Sequence, residues 1–229
     1  TLNNSIRTFR SSLWVSVDTP DHFILSAWLD PTILKFVPIC HTEKYLFDSN
    51  AWQWVDMTVR ECPGMVYYKR NELFQAKQYL WEDTINWGCT AAYGGSRSIM
   101  LAAIRILFFM GIRQIYLLGC DFKMDATSKY HFDQNREKAA ISGNNSTYEQ
   151  LNVWFKELRP IFEEQGLHVI NLNPQSNCKA FDFADLAEAV AKEFTIDVAN
   201  ERTEGLYDTE KPKMTGIEQA SPMVNLAPS

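Results

Sequence analysis

The sequence predicts an α/β domain with a largely parallel sheet, and three observations lead there. Tyr93 to Asp121 reads as a glycine-rich loop, a helix and a short apolar strand in succession; Ser146 to Leu172 repeats helix then strand; strands and helices alternate through most of the chain. In such folds ligands sit at the carboxyl edge of the sheet. Three predicted strand ends place polar residues on that side.

Residues 1–12 are polar, with Ile6 and Phe9 able to anchor a partial helix, and Leu13 to Val17 reads as a strand closed by Asp18-Thr19-Pro20. Residues 33–40 form a second apolar run whose Pro38 marks a strand end or an edge. Residues 41–62 read as irregular and rich in tryptophan. Met65 to Tyr68 is the next strand, and residues 69–90 form a polar excursion, long enough to be a lid or an acceptor-binding segment.

Gly94-Gly95-Ser96 then opens about fourteen residues of strong helix formers, which Gly111 ends. A helix start beside a glycine turn suits a phosphate. The turn lacks the lysine of a P-loop and the Gly-x-Gly-x-x-Gly spacing, so it specifies neither ATP nor a dinucleotide. Ile115 to Leu118 is the following strand, and Gly119-Cys120-Asp121 carries a carboxylate to its end. Residues 122–145 read as a polar loop holding Lys123, Asp125, Lys129, Tyr130, His131, Asp133 and Arg136.

Tyr148, Leu151, Trp154, Leu158 and Phe162 recur at helical spacing, predicting a helix over 146–166 with Gly166 as its C-cap. Leu167 to Leu172 is a strand. Residues 183–194 predict a last helix with Asp182 as its cap. The expected organisation is one domain over 1–198, its first strand expected upstream of Thr1, and a disordered polar tail over 199–229.

A net charge of −6 argues against an extended nucleic-acid surface and favours small-molecule partners. Arg105 interrupts the longest apolar stretch, so no membrane span is expected. Cysteines 40, 62, 89, 120 and 178 are widely spaced and form no C-x-x-C pair, which reads as reduced packing residues in a cytoplasmic protein. Cys40-His41 with Cys62 makes only half of a zinc site.

The segment Gly111-Ile-Arg-Gln-Ile-Tyr-Leu-Leu-Gly-Cys-Asp-Phe122, with the Ser-bearing turn and small-residue helix before it, resembles the core signature of the bacterial α-2,3/2,8-sialyltransferases of glycosyltransferase family 42. It is similar as well to domain-of-unknown-function family 115, which includes 6-hydroxymethylpterin diphosphokinase-like proteins. Tyr130-His-Phe-Asp133 and Gly166 to Ser176 extend the likeness over roughly residues 1–190. It implies a Rossmann-like sheet and a nucleotide-sugar donor, of the CMP-sugar kind, bound without a metal over the strand ends. Asn4, Asp18, Gly95, Ser96 and Tyr130 are then the donor contacts. The family's other tyrosine falls on Lys123 and its histidine base on or near Asn144.

His131 is the candidate base in its place, since an imidazole titrates near neutral pH. A surface-loop histidine is the alternative; His168 reads as a core histidine, and His22 and His41 have no convergent partners in view. The proposed site is therefore His131 and Tyr130 for catalysis, with Asn4, Asp18, Gly94, Gly95, Ser96, Asp121 and Lys123 for the nucleotide. No cofactor is expected. The donor and a hydroxyl acceptor are the partners. Two alternatives stay open: a diphosphokinase using ATP and magnesium at Asp18 and Asp121, or a non-catalytic binding module.

Overall fold

The computed structural model describes residues 1–89, 96–125 and 138–193, and its architecture is mixed α/β with parallel sheets. The chain separates into a unit of residues 1–189, which holds every described strand, and one of residues 190–229. The predicted tail lies outside the described residues.

Strands β1 (Leu13–Val15), β2 (Leu34–Pro38) and β5 (Met65–Tyr68) form one parallel sheet in the order β1-β2-β5. Helix α1 (Leu25–Leu29) connects the first two. Between β2 and β5, where an irregular segment was expected, β3 (Tyr45–Asp48) and β4 (Gln53–Thr58) pair as an antiparallel hairpin. Its pattern is masked because tyrosine, phenylalanine and tryptophan occupy outward positions, so no alternation of apolar and polar residues is visible.

The expected excursion over 69–90 contains a short parallel pair, β6 (Arg70–Asn71) and β7 (Ile85–Asn86), with Tyr79 and Leu80 buried between them in sequence. Helix α2 (Ile99–Phe109) follows, shorter than predicted, and Gly111 closes it at φ +90°, a backbone conformation that suits glycine. Strands β8 (Gln114–Leu117), β9 (His168–Asn171) and β10 (Asp182–Phe183) form a second parallel sheet in the order β10-β9-β8.

Helix α3 (Lys138–Glu164) begins earlier than its apolar spacing indicates. Ser142 to Ser146 are poor helix formers. Tertiary bonds offset that: the Asn145 side chain brackets Met124, accepting from its amide at 2.9 Å and donating to its carbonyl at 2.8 Å. Asp182 is a strand residue paired with Arg159 at 2.6 Å, and Asp185 instead caps α4 (Leu186–Glu193), accepting from the amides of Ala187 and Glu188.

Three apolar clusters build the core. One packs Leu101, Ile104 and Phe108 of α2 against Phe155, Leu158 and Phe162 of α3 and Val169 of β9. A second gathers Trp14, Phe23 and Trp28, edge to face with centroids 4.8 to 6.2 Å apart, beneath α1 and the hairpin. The third sets Ala102, Ala103 and Ile106 of α2 against Val15, Val17, Phe36 and Trp87. Lys35 is fully buried, and its ammonium donates to the carbonyls of Asp30, Ile33 and Pro63 at 2.6 to 3.0 Å. Burial lowers its pKa.

Candidate functional site at the strand ends beside helix α2

The end of β1 is fastened from several sides. Tyr68 donates its hydroxyl to the Ser16 carbonyl at 2.8 Å, while Arg70 and His41 Nε2 both donate to the Val17 carbonyl, at 2.8 and 3.2 Å. His41 is thus buried with a partner, which the sequence had not indicated. Its desolvation, aided by the nearby Lys44 and Arg70, lowers its pKa below the usual 6.5. Asp18, next along, accepts from the amide of Asn3 at 3.2 Å. Asn4, the predicted donor contact, is turned to Arg7 at 3.2 Å.

Gly88 shapes the entry to α2. It stands at φ +120°, and a Cβ there would lie 2.3 Å from the Ser96 carbonyl oxygen and 2.5 Å from Arg97 Cα. That close approach lets Gly88 bridge Arg97, Cys89 donate to the Ser96 carbonyl at 2.8 Å, and Ser98 donate to the Trp87 carbonyl at 2.7 Å. Ser98, rather than Ser96, is the N-cap: its hydroxyl accepts from the Met100 amide at 3.1 Å. The Ser96 backbone belongs to the pinched base of the loop. Gly94 and Gly95 lie outside the described residues.

The pinch brings together residues that the sequence reading missed. Arg70 and Arg97 place their guanidinium carbons 4.5 and 5.2 Å from the centroid of the Trp87 ring. Neither arginine forms an ion pair among the described residues. Arg97 is exposed, whereas Trp87 is buried, and its Nε1 has no hydrogen-bond partner. The Ser16 hydroxyl is likewise buried without one. Two cations without an ion pair and a buried N–H without a hydrogen bond, among the described residues, form an anion-attracting arrangement.

The end of β8 reaches the same helix, since the Cys120 thiol lies 3.5 Å from Met100 Sδ in the first turn of α2. Asp121 accepts from the Asn173 amide at 2.5 Å through its carboxylate and from the Asn177 amide at 2.8 Å through its carbonyl. It thereby orders the loop after β9. Lys123 pairs with Asp125 at 3.6 Å, which partly neutralises it. Asn144, at the position of the family's histidine, donates to Met124 Sδ at 3.1 Å. Tyr130 and His131 lie outside the described residues. His168 is exposed on β9 instead of buried.

Among the described residues no three His, Cys, Asp or Glu side chains converge to hold a metal. The Cys62 thiol donates to the Thr58 carbonyl at 3.8 Å, and burial pushes its pKa up to about 11. Nor, among those residues, is any helix long and apolar enough to cross a membrane.

Sequence could have flagged Arg97, which sits inside the Gly-Gly-Ser-Arg-Ser segment, but only the fold sets Arg70 beside it. Compared with known proteins, the chain matches no family model, no curated protein and no solved structure.

Proposed function

We propose that this chain is a glycosyltransferase-like enzyme that takes a nucleotide sugar, of the CMP-sugar kind, and transfers its sugar to a hydroxyl acceptor without a metal. The observation that carries this reading is the pair of arginines, Arg70 and Arg97, that stand on Trp87 at the start of α2 and form no ion pair among the described residues. As the bond from the sugar's anomeric carbon to the phosphate oxygen breaks, negative charge grows on the leaving phosphate. Fixed guanidinium groups stabilise that charge electrostatically, the task a divalent cation performs elsewhere. The acceptor oxygen forms the new bond to the anomeric carbon and gives its proton to a base, for which His131 is the candidate and Tyr130 its neighbour. Asp18, Ser96 and Asp121 flank the nucleotide in this reading.

A Rossmann-like arrangement is part of the proposal. The two parallel sheets would be its halves, in the orders β5-β2-β1 and β8-β9-β10, and Leu2 packs against the clusters of both. The five free cysteines fit a reducing compartment such as the cytoplasm.

The test is donor turnover. CMP-sialic acid, UDP-glucose and GDP-mannose are each incubated with the protein in EDTA, and release of the free nucleotide is followed by anion-exchange chromatography. Release from one donor, unaffected by EDTA and absent in an Arg97→Ala variant, is the expected result. No release from any donor, or release that requires magnesium, contradicts the reading.

A further inference from the structure

The β3–β4 hairpin presents a surface that ordinary folding does not explain. Its register pairs Leu46 with Val55 and Phe47 with Trp54, so alternation turns Leu46, Val55 and Met57 into the core. The opposite face of an antiparallel pair is normally polar. Here it carries Tyr45, Phe47 and Trp54, with Trp52 at the turn, and Tyr45, Trp54 and Trp52 are 53%, 63% and 81% exposed. Phe47 meets both indoles edge-on, at centroid distances of 5.3 and 5.2 Å. Trp52 takes a left-handed backbone at φ +52°, costly for a bulky residue, within a turn closed by Asp48.

The neighbours of these rings select among occupants. No outward position of β3 or β4 holds an aliphatic residue, lysine or arginine, so the face matches neither an apolar helix nor an anionic membrane. Asp56 shares the face of Trp54. Its carboxylate makes no hydrogen bond or ion pair among the described residues. Rigid indoles with negative ring faces, next to a carboxylate that can accept from hydroxyls, match a pyranose, whose C–H face is weakly positive and whose rim is hydroxyl.

The hairpin also leaves the carboxyl edge of β2 and packs against the short turn Pro20–His22, just beyond Asp18. We infer that Trp52 and Trp54, with Asp56 beside them, form a binding site for a neutral sugar ring, the acceptor glycan of the transferase reading on which this inference rests.

Saturation-transfer NMR with lactose, maltose and N,N′-diacetylchitobiose as probes tests it on the full chain. At least one probe is expected to receive saturation at its ring C–H protons, with the effect reduced at least fivefold by Trp52→Ala/Trp54→Ala and severalfold by Asp56→Asn. Both tryptophans are exposed, so the variant should keep its Tm and its affinity for a nucleotide sugar. No transfer to any probe, or equal transfer to the variant, overturns the sugar site even where nucleotide binding is intact. Loss of nucleotide binding in the parent chain would instead defeat the transferase reading. A variant that loses only self-association or vesicle binding reassigns the face and also overturns it.

Discussion

Arg70 and Arg97 share one indole but are held differently, and that difference separates binding from stability. Arg97 is exposed and makes no ion pair among the described residues, whereas Arg70 also donates to the Val17 carbonyl. A hydrogen bond to a charged group contributes about 1.5–3 kcal/mol. Arg97→Ala should therefore weaken nucleotide-phosphate affinity by roughly tenfold or more with Tm unchanged; Arg70→Ala should lower both, as titration calorimetry and thermal melts would show. His41 gives a pH signature. Its folded pKa is lowered by burial, so the unfolded chain binds more protons once pH falls below about 6.5. Stability should then decline as the pH drops from 7 toward 5, and His41→Gln should flatten that decline in urea titrations. Asp18 and Asp121 were legible as residues just past strand ends. Arg70 was not, because its place beside Arg97 depends on β6 pairing with β7 and on the Gly88–Arg97 bridge, contacts that no local pattern encodes.

At the scale of elements, the pinch before α2 rests on Gly88. A methyl group there meets backbone atoms at 2.3 and 2.5 Å, and φ +120° is unfavourable for other residues. Gly88→Ala should cost about 2–4 kcal/mol and displace Arg97, so it should lose ligand affinity as well as stability. Ser98→Ala removes only the cap and should cost about 1 kcal/mol with little effect on affinity. Helix α3 was legible because its apolar spacing marks one face, and α2 because strong helix formers run from the glycine turn to Gly111. The hairpin was not, since aromatic residues fill its outward face while aliphatic ones fill its inward face, and the first turns of α3 were hidden behind residues whose helix is secured by Asn145 and Met124.

Across the whole molecule, two parallel sheets and the helix between them in sequence concentrate the candidate groups at strand ends. Val17 and Trp87 lie against α2 through one cluster and Cys120 through Met100. Alternation of helices and strands made the α/β class legible, but sheet order depends on which edges meet, and the sequence contains no sign of that. The buried Lys35 illustrates the same limit: a cation inside an apolar strand is intelligible only once three carbonyls surround it. Lys35→Met should destabilise the fold by about 2–4 kcal/mol in denaturant titrations, because it leaves those acceptors unanswered. The proposed transfer depends on an anion site built from protein cations. Its most direct test is calorimetric titration of CMP, CMP-sialic acid, UDP-glucose and GDP-mannose in EDTA, into the parent chain and into Arg70→Ala/Arg97→Ala. Metal-free binding of one nucleotide or nucleotide sugar that the double variant loses is the predicted result, and equal affinity in both proteins, or binding only with magnesium, would contradict it.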